Sequence, residues 1–125
     1  MNIEDFREYC LSVKGATECF PFDEEVLVFK VMDKMFAYGS LFPKDGRLNF
    51  SMKCDTEKSE VLREQYGGIT RGAHTASNMW NAVYLDSDVP DNLIKELVQH
   101  SVEEVIKKLP KKKQQEYIMC EGGTL

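Results

Sequence analysis

The chain has 125 residues, 42% hydrophobic and 30% charged, with 16 Lys and Arg against 21 Asp and Glu, a net charge of −5. That size and balance fit one soluble domain that buries a core without disulfides or metal, and they exclude a disordered chain. The acidic total excludes a global attraction for nucleic acid, so any such contact must come from a local basic patch.

The opening "MNIEDFREYC" predicts a helix. Asn2 caps it, Glu4 and Asp5 occupy its first turn, Gly15 can end it, and Ile3, Phe6, Cys10 and Val13 form its apolar face. The same segment has acids where a secretion signal carries a basic stretch, and no apolar run nears the ~18 residues of a membrane helix. A cytoplasmic protein with no membrane partner is expected, with Cys10, Cys19, Cys54 and Cys120 as reduced thiols.

"ATECFPFDEE" is expected to be a loop, because Pro21 pushes Phe20 toward an extended backbone. "VLVFKVMDKMFAYGS" predicts a hairpin in which Val26, Val28 and Lys30 face away from Leu27, Phe29 and Val31, with Asp33-Lys34 as the turn. After the turn at Asp45-Gly46, "RLNFSMK" predicts a third strand, Leu48, Phe50 and Met52 on one side and Asn49, Ser51 and Lys53 on the other. Asp55 caps a second helix that stops at Gly67-Gly68.

"ITRG" and "MWNAVYLD" complete five strands, with Trp80, Ala82 and Tyr84 opposite Val83 and Leu85. A helix of about 20 residues follows Pro90, its stripe running from Leu93 to Leu109, and Pro110 ends it. Residues 114–125 are expected as a tail that begins with a helical turn and then frays. The order α-β-β-β-α-β-β-α argues for one α+β domain over 1–125, a two-layer fold with a five-stranded antiparallel sheet packed by helices on one face.

Four separated stretches resemble a known family. They are "CFPFDEEVLVFKVMDKMFAY", "LNFSMKCDTEKSEVLREQYGGI", "HTASNMWNAVYLD" and "VPDNLIKELVQHSVEEVIKKLPKK". In this order they resemble the MmcQ/YjbR-like proteins from about residue 2 to 113. The resemblance implies a five-stranded α+β fold similar to that of type III secretion chaperones and CyaY-like proteins. Family members are commonly described as double-wing DNA-binding proteins, so it also implies DNA as a partner. One departure is the stretch "HTASNM", where many relatives carry a Lys before the Trp.

Enzymatic signatures are missing. "YGGI" and "EGGTL" lack the Lys-Ser/Thr of a phosphate-binding loop, there is no GxSxG, and the cysteines form no CxxC. His74 and His100 lack ligand spacing, so neither a metal nor a cofactor is expected. The acid pairs Glu24-Glu25 and Glu103-Glu104 are expected to be solvated, since sequence neighbours do not face each other. Asn78 and Asn81 are expected to satisfy turn and strand-edge backbone groups. Cys54 lies beside a helix N-terminus and Lys53, an arrangement that activates a thiol; the competing expectation is a small buried hydrophobe.

The basic run is the main electrostatic feature. Lys107, Lys108, Lys111, Lys112 and Lys113 either stabilise a helix end or contact phosphates. The expected function is a non-enzymatic, monomeric DNA-binding module. It would contact phosphates through Lys30, Lys34, Lys53, Arg71, His74, Lys111 and Lys112, with Trp80 either a half-buried core aromatic or a base-stacking platform. The alternatives are a protein-binding or chaperone-like module, and a small-molecule pocket or enzyme around His74, Trp80 and Cys54.

Overall fold

The computed structural model describes residues 1–71 and 79–119. Among these, four helices and six strands follow in the order α1 (Ile3–Ser12), β1 (Thr17–Cys19), β2 (Val26–Val31), β3 (Lys34–Ser40), β4 (Asn49–Lys53), α2 (Thr56–Gln65), β5 (Ile69–Arg71), β6 (Trp80–Tyr84), α3 (Asp91–Lys107) and α4 (Lys111–Met119). No helix is long and apolar enough to cross a membrane. The sheet is antiparallel throughout, with strand order β1-β2-β3-β4-β6-β5. The expected α+β architecture holds, but the sheet has six strands rather than five. Thr17, Glu18 and Cys19, expected in a loop, pair with Lys30, Phe29 and Val28.

Alternation builds the two faces. Leu27, Phe29, Val31, Phe50, Met52, Val83 and Leu85 join one buried cluster with Phe6 and Cys10 of α1, Leu62 of α2, and Ile94, Leu97, Val98, Val102 and Val105 of α3. The helices therefore cover one face, as a half-apolar sheet requires. Phe6 ties α1 to the sheet, its ring 4.6 Å from that of Phe50 and edge-on to Phe29 at 6.0 Å.

Two local details depart from simple alternation. The β2–β3 hairpin turns at Met32-Asp33, not at Asp33-Lys34, with φ of 51° and 62°, the mirror-image turn whose twist matches the strands. The register then slips between Phe29/Ala37 and Lys30/Met35, leaving Phe36 unpaired in a bulge. The bulge turns Phe36 to the same core as its neighbour Ala37.

The helix ends follow their expected chemistry. Asn2 and Asp55 accept from the backbone N–H of Asp5 and Lys58 at 2.7 and 3.0 Å. The segment after Pro110 is a helix rather than a fraying turn. Gln114 Nε2 donates back to the carbonyls of Lys107 and Leu109, and Tyr117 Oη donates to the carbonyl of Lys14, satisfying groups that a chain end would leave to water.

Candidate functional site

The outward face of the sheet carries the polar and aromatic residues. One cross-strand row runs Val28, Tyr38, Ser51, Ala82. In the next row Lys53 is opposite Trp80. Tyr38 and Trp80 rings approach to 5.4 Å at 58°, and Lys53 Nζ stands 5.8 Å from the Trp80 ring centre. Burial pushes the Tyr38 phenol above its ordinary range, against a hydrogen bond with Ser51. Trp80 is thus half-buried on the outward face, not part of the core.

Where β3 begins and β4 ends, the last turn of α3 arrives from the helical layer. A pocket of about 280 Å³ forms there, lined by Lys34, Met35, Lys53, Val105, Lys108 and Leu109. The Ser101 hydroxyl donates to the Lys53 carbonyl at 2.5 Å, fixing α3 to the end of β4. Lys108 Nζ lies 3.4 Å from Met79 Sδ, a weak acceptor that orients the ammonium without neutralising it. Lys53 is held below the ordinary lysine range, first by partial burial and then by Lys108, while Glu104 acts the other way.

Glu104 itself is a correction. It is only 6% exposed rather than solvated, and Lys107 pairs with it at 3.1 Å. Neighbours in sequence do face different ways, and the turn of α3 aims this carboxylate inward.

The structure brings Lys34, Lys53 and Trp80 together and adds Lys108 and Tyr38. Lys30 is half-buried opposite Met35 at the same end of the sheet. Arg71 ends β5 opposite Asn81. Lys111 and Lys112 are exposed in the first turn of α4 and outside the pocket lining. His74 and Asn78 lie outside the described residues. Tyr38 was not placeable from the sequence, since simple alternation puts it on the face of buried Phe36 and only the bulge turns it outward. Lys108 was not placeable, because only the tertiary position of α3 carries it to Lys53.

Three other candidates resolve differently. Cys54 is buried, and burial raises its thiol above the ordinary range, so the hydrophobe expectation fits and the activated one does not. Asn81 is not at a sheet edge. It lies on β6 between β4 and β5, 2% exposed, and its Oδ1 has no hydrogen-bond partner among the described residues. His100 Nε2 accepts from the backbone N–H of Asp55 at 3.2 Å, a structural role at the start of α2. No group of three or more potential metal ligands occurs among the described residues.

The opposite end of the sheet has the opposite character. Leu41 N–H donates to the Glu25 carbonyl, joining the turn before β2 to the end of β3. Phe20, Phe22 and Phe42 are 46%, 69% and 70% exposed in these segments, beside Asp23, Glu24 and Glu25.

A family model described as YjbR matches residues 11–103. The Escherichia coli (strain K12) protein described as uncharacterized protein YjbR is 31% identical over 113 residues, covering 90% of this chain and 94% of the relative. YbdF of Escherichia coli O157:H7, also described as uncharacterized, is 30% identical and covers 89% of each chain. The crystal structure of Deinococcus radiodurans protein DR2400, a DUF419 domain, superposes with a TM-score of 0.84 at 35% identity, over 99% of this chain and 95% of that one. A crystal structure from Pseudomonas syringae shares the fold, with a TM-score of 0.70 at 21% identity over 81% of this chain and 96% of that one.

Proposed function

The chain belongs to the YjbR family, and from that premise we propose that it is a non-enzymatic protein that binds single-stranded DNA. Phosphates contact Lys34, Lys53 and Lys108, Lys30 flanks them, and an unpaired base stacks on Trp80. The observation that carries this reading is the convergence of three lysines on one pocket beside an outward Trp-Tyr pair. A positive groove next to an aromatic platform is what sequence-tolerant single-strand binding requires. Duplex reading is less suited, because the Trp80-Tyr38 pair offers a stacking surface that only an unpaired base can use. Arg71, His74, Lys111 and Lys112 remain candidate outer contacts.

The test is fluorescence anisotropy of labelled single-stranded and duplex DNA from low to physiological salt. The single strand is expected to bind more tightly. Removing Trp80 should cost about 1–3 kcal/mol, and each lost lysine contact should reduce the salt slope by about 0.7. Flat anisotropy at low salt and high protein concentration overturns the proposal. It would leave the protein-binding alternative, which the exposed Phe20, Phe22 and Phe42 favour through their acidic surroundings, suited to a basic apolar segment.

A further inference from the structure

The pocket between β3, β4 and α3 permits a finer statement, which rests on the nucleic-acid reading above. Its lining includes three lysines and no acidic residue. Glu104, the acid that acts on Lys53, is already matched by Lys107. The rest of the wall is Met35, Val105 and Leu109. Three like charges in such a place repel one another, and the depression of Lys53 by Lys108 is one expression of it.

A phosphodiester inside a strand carries one negative charge. A terminal phosphomonoester carries about −1.5 to −2 at neutral pH and offers three acceptor oxygens. It therefore offsets more of the lysine repulsion and can accept from all three ammonium groups. The shape agrees. The pocket is walled by the start of β3, the end of β4 and the last turn of α3, and its volume of about 280 Å³ leaves room for a phosphate group. Trp80 stands beside Lys53, on the outward side, where the terminal base would follow.

We propose that this pocket takes a terminal phosphomonoester, the end group of a single strand or of a mononucleotide, with its base on Trp80. The test uses the full chain and four probes: a ten-nucleotide oligothymidylate with free hydroxyl ends, the same strand phosphorylated at its 5′ end, the same strand phosphorylated at its 3′ end, and thymidine 5′-monophosphate as competitor.

One phosphorylated strand is expected to bind about tenfold tighter than the unphosphorylated one, the scale of a single extra charge-assisted contact. Lys108 is exposed, so Lys108→Ala should fold, checked by circular dichroism, and should abolish the difference between the strands. Competition by thymidine monophosphate at a concentration matching the strand's own Kd would identify the mononucleotide as the source. Competition only at far higher concentration would identify a strand end. Equal binding of all three strands overturns this proposal while leaving single-strand binding intact. Absence of binding by every probe overturns both.

Discussion

At the scale of single residues, carboxylates and thiols are tuned by what packs against them. Asp88 shows this away from the basic pocket. Its carboxylate accepts the backbone N–H groups of Gly68 and Gly67, both at 2.8 Å, and these bonds, Gly68 first, depress its pKa. A depressed carboxylate stabilises the fold above its unfolded value, near 4, and that contribution is lost as pH falls through the folded value. The wild type should therefore exceed Asp88→Asn in stability at pH 7, and the gap should shrink as pH drops below about 4. Urea midpoints of both proteins at pH 7 and pH 3 measure it. A gap of the same size at both values would mean that the ionised carboxylate contributes nothing. Asp88 matters beyond its own bonds because Gly68 also gives its carbonyl to Tyr84 N–H at 2.8 Å, so the same junction holds β5 beside β6.

At the scale of elements, the close approach of β3 to β4 is set by a missing side chain. A Cβ on Gly39 would stand 2.4 Å from the Asn49 carbonyl oxygen and 2.8 Å from the Phe50 ring. Backbone cannot give way as a flexible side chain does, so Gly39→Ala should destabilise the protein by about 1–3 kcal/mol. A lowered denaturant midpoint with an unchanged slope is the expected result; an unchanged midpoint would mean the strands separate freely. This requirement was invisible in "FAYGSLF", where the glycine reads as a strand end. Alternation made β4 and β6 legible down to their faces: Phe50 and Met52 inward, Lys53 and Trp80 outward. It failed at Phe36, because a bulge adds a residue without changing composition. It also failed at β1, whose three residues are too few to show a period. The segment Lys111–Met119 was hidden for a different reason. It buries no residue fully and is anchored by Tyr117 and Gln114, contacts that exist only once α1 and α3 are in place. The site was legible in the same measure. Lys53 and Trp80 could be named from strand positions and Lys34 from the expected turn, whereas Lys108 needed the crossing of α3.

At the scale of the molecule, the proposed function asks how a chain of net charge −5 would attract a polyanion. The answer lies in separation. β3 spans Lys34 to Ser40, seven residues, and at ~3.3 Å each it sets the basic end about 20 Å from the acidic one. The Debye length is about 8 Å at physiological ionic strength and about 30 Å at 0.01 M. At physiological salt the lysine pocket is thus screened from Glu24 and Glu25; at low salt it is not. Glu24→Gln with Glu25→Gln is the variant to use, because Asp23 is occupied in accepting from the N–H groups of Glu25 and Val26 at 2.8 and 3.0 Å. This double variant should associate several-fold faster with a single-stranded oligonucleotide at 0.01 M salt and at the wild-type rate at 0.15 M. Lys53→Ala should bind more weakly at both, since the contact proposed for it is direct. Stopped-flow association rates at the two salt concentrations separate the cases. An equal effect of the glutamine pair at both would mean that the acidic aromatic end touches the ligand, and the assignment of opposite roles to the two ends would fail.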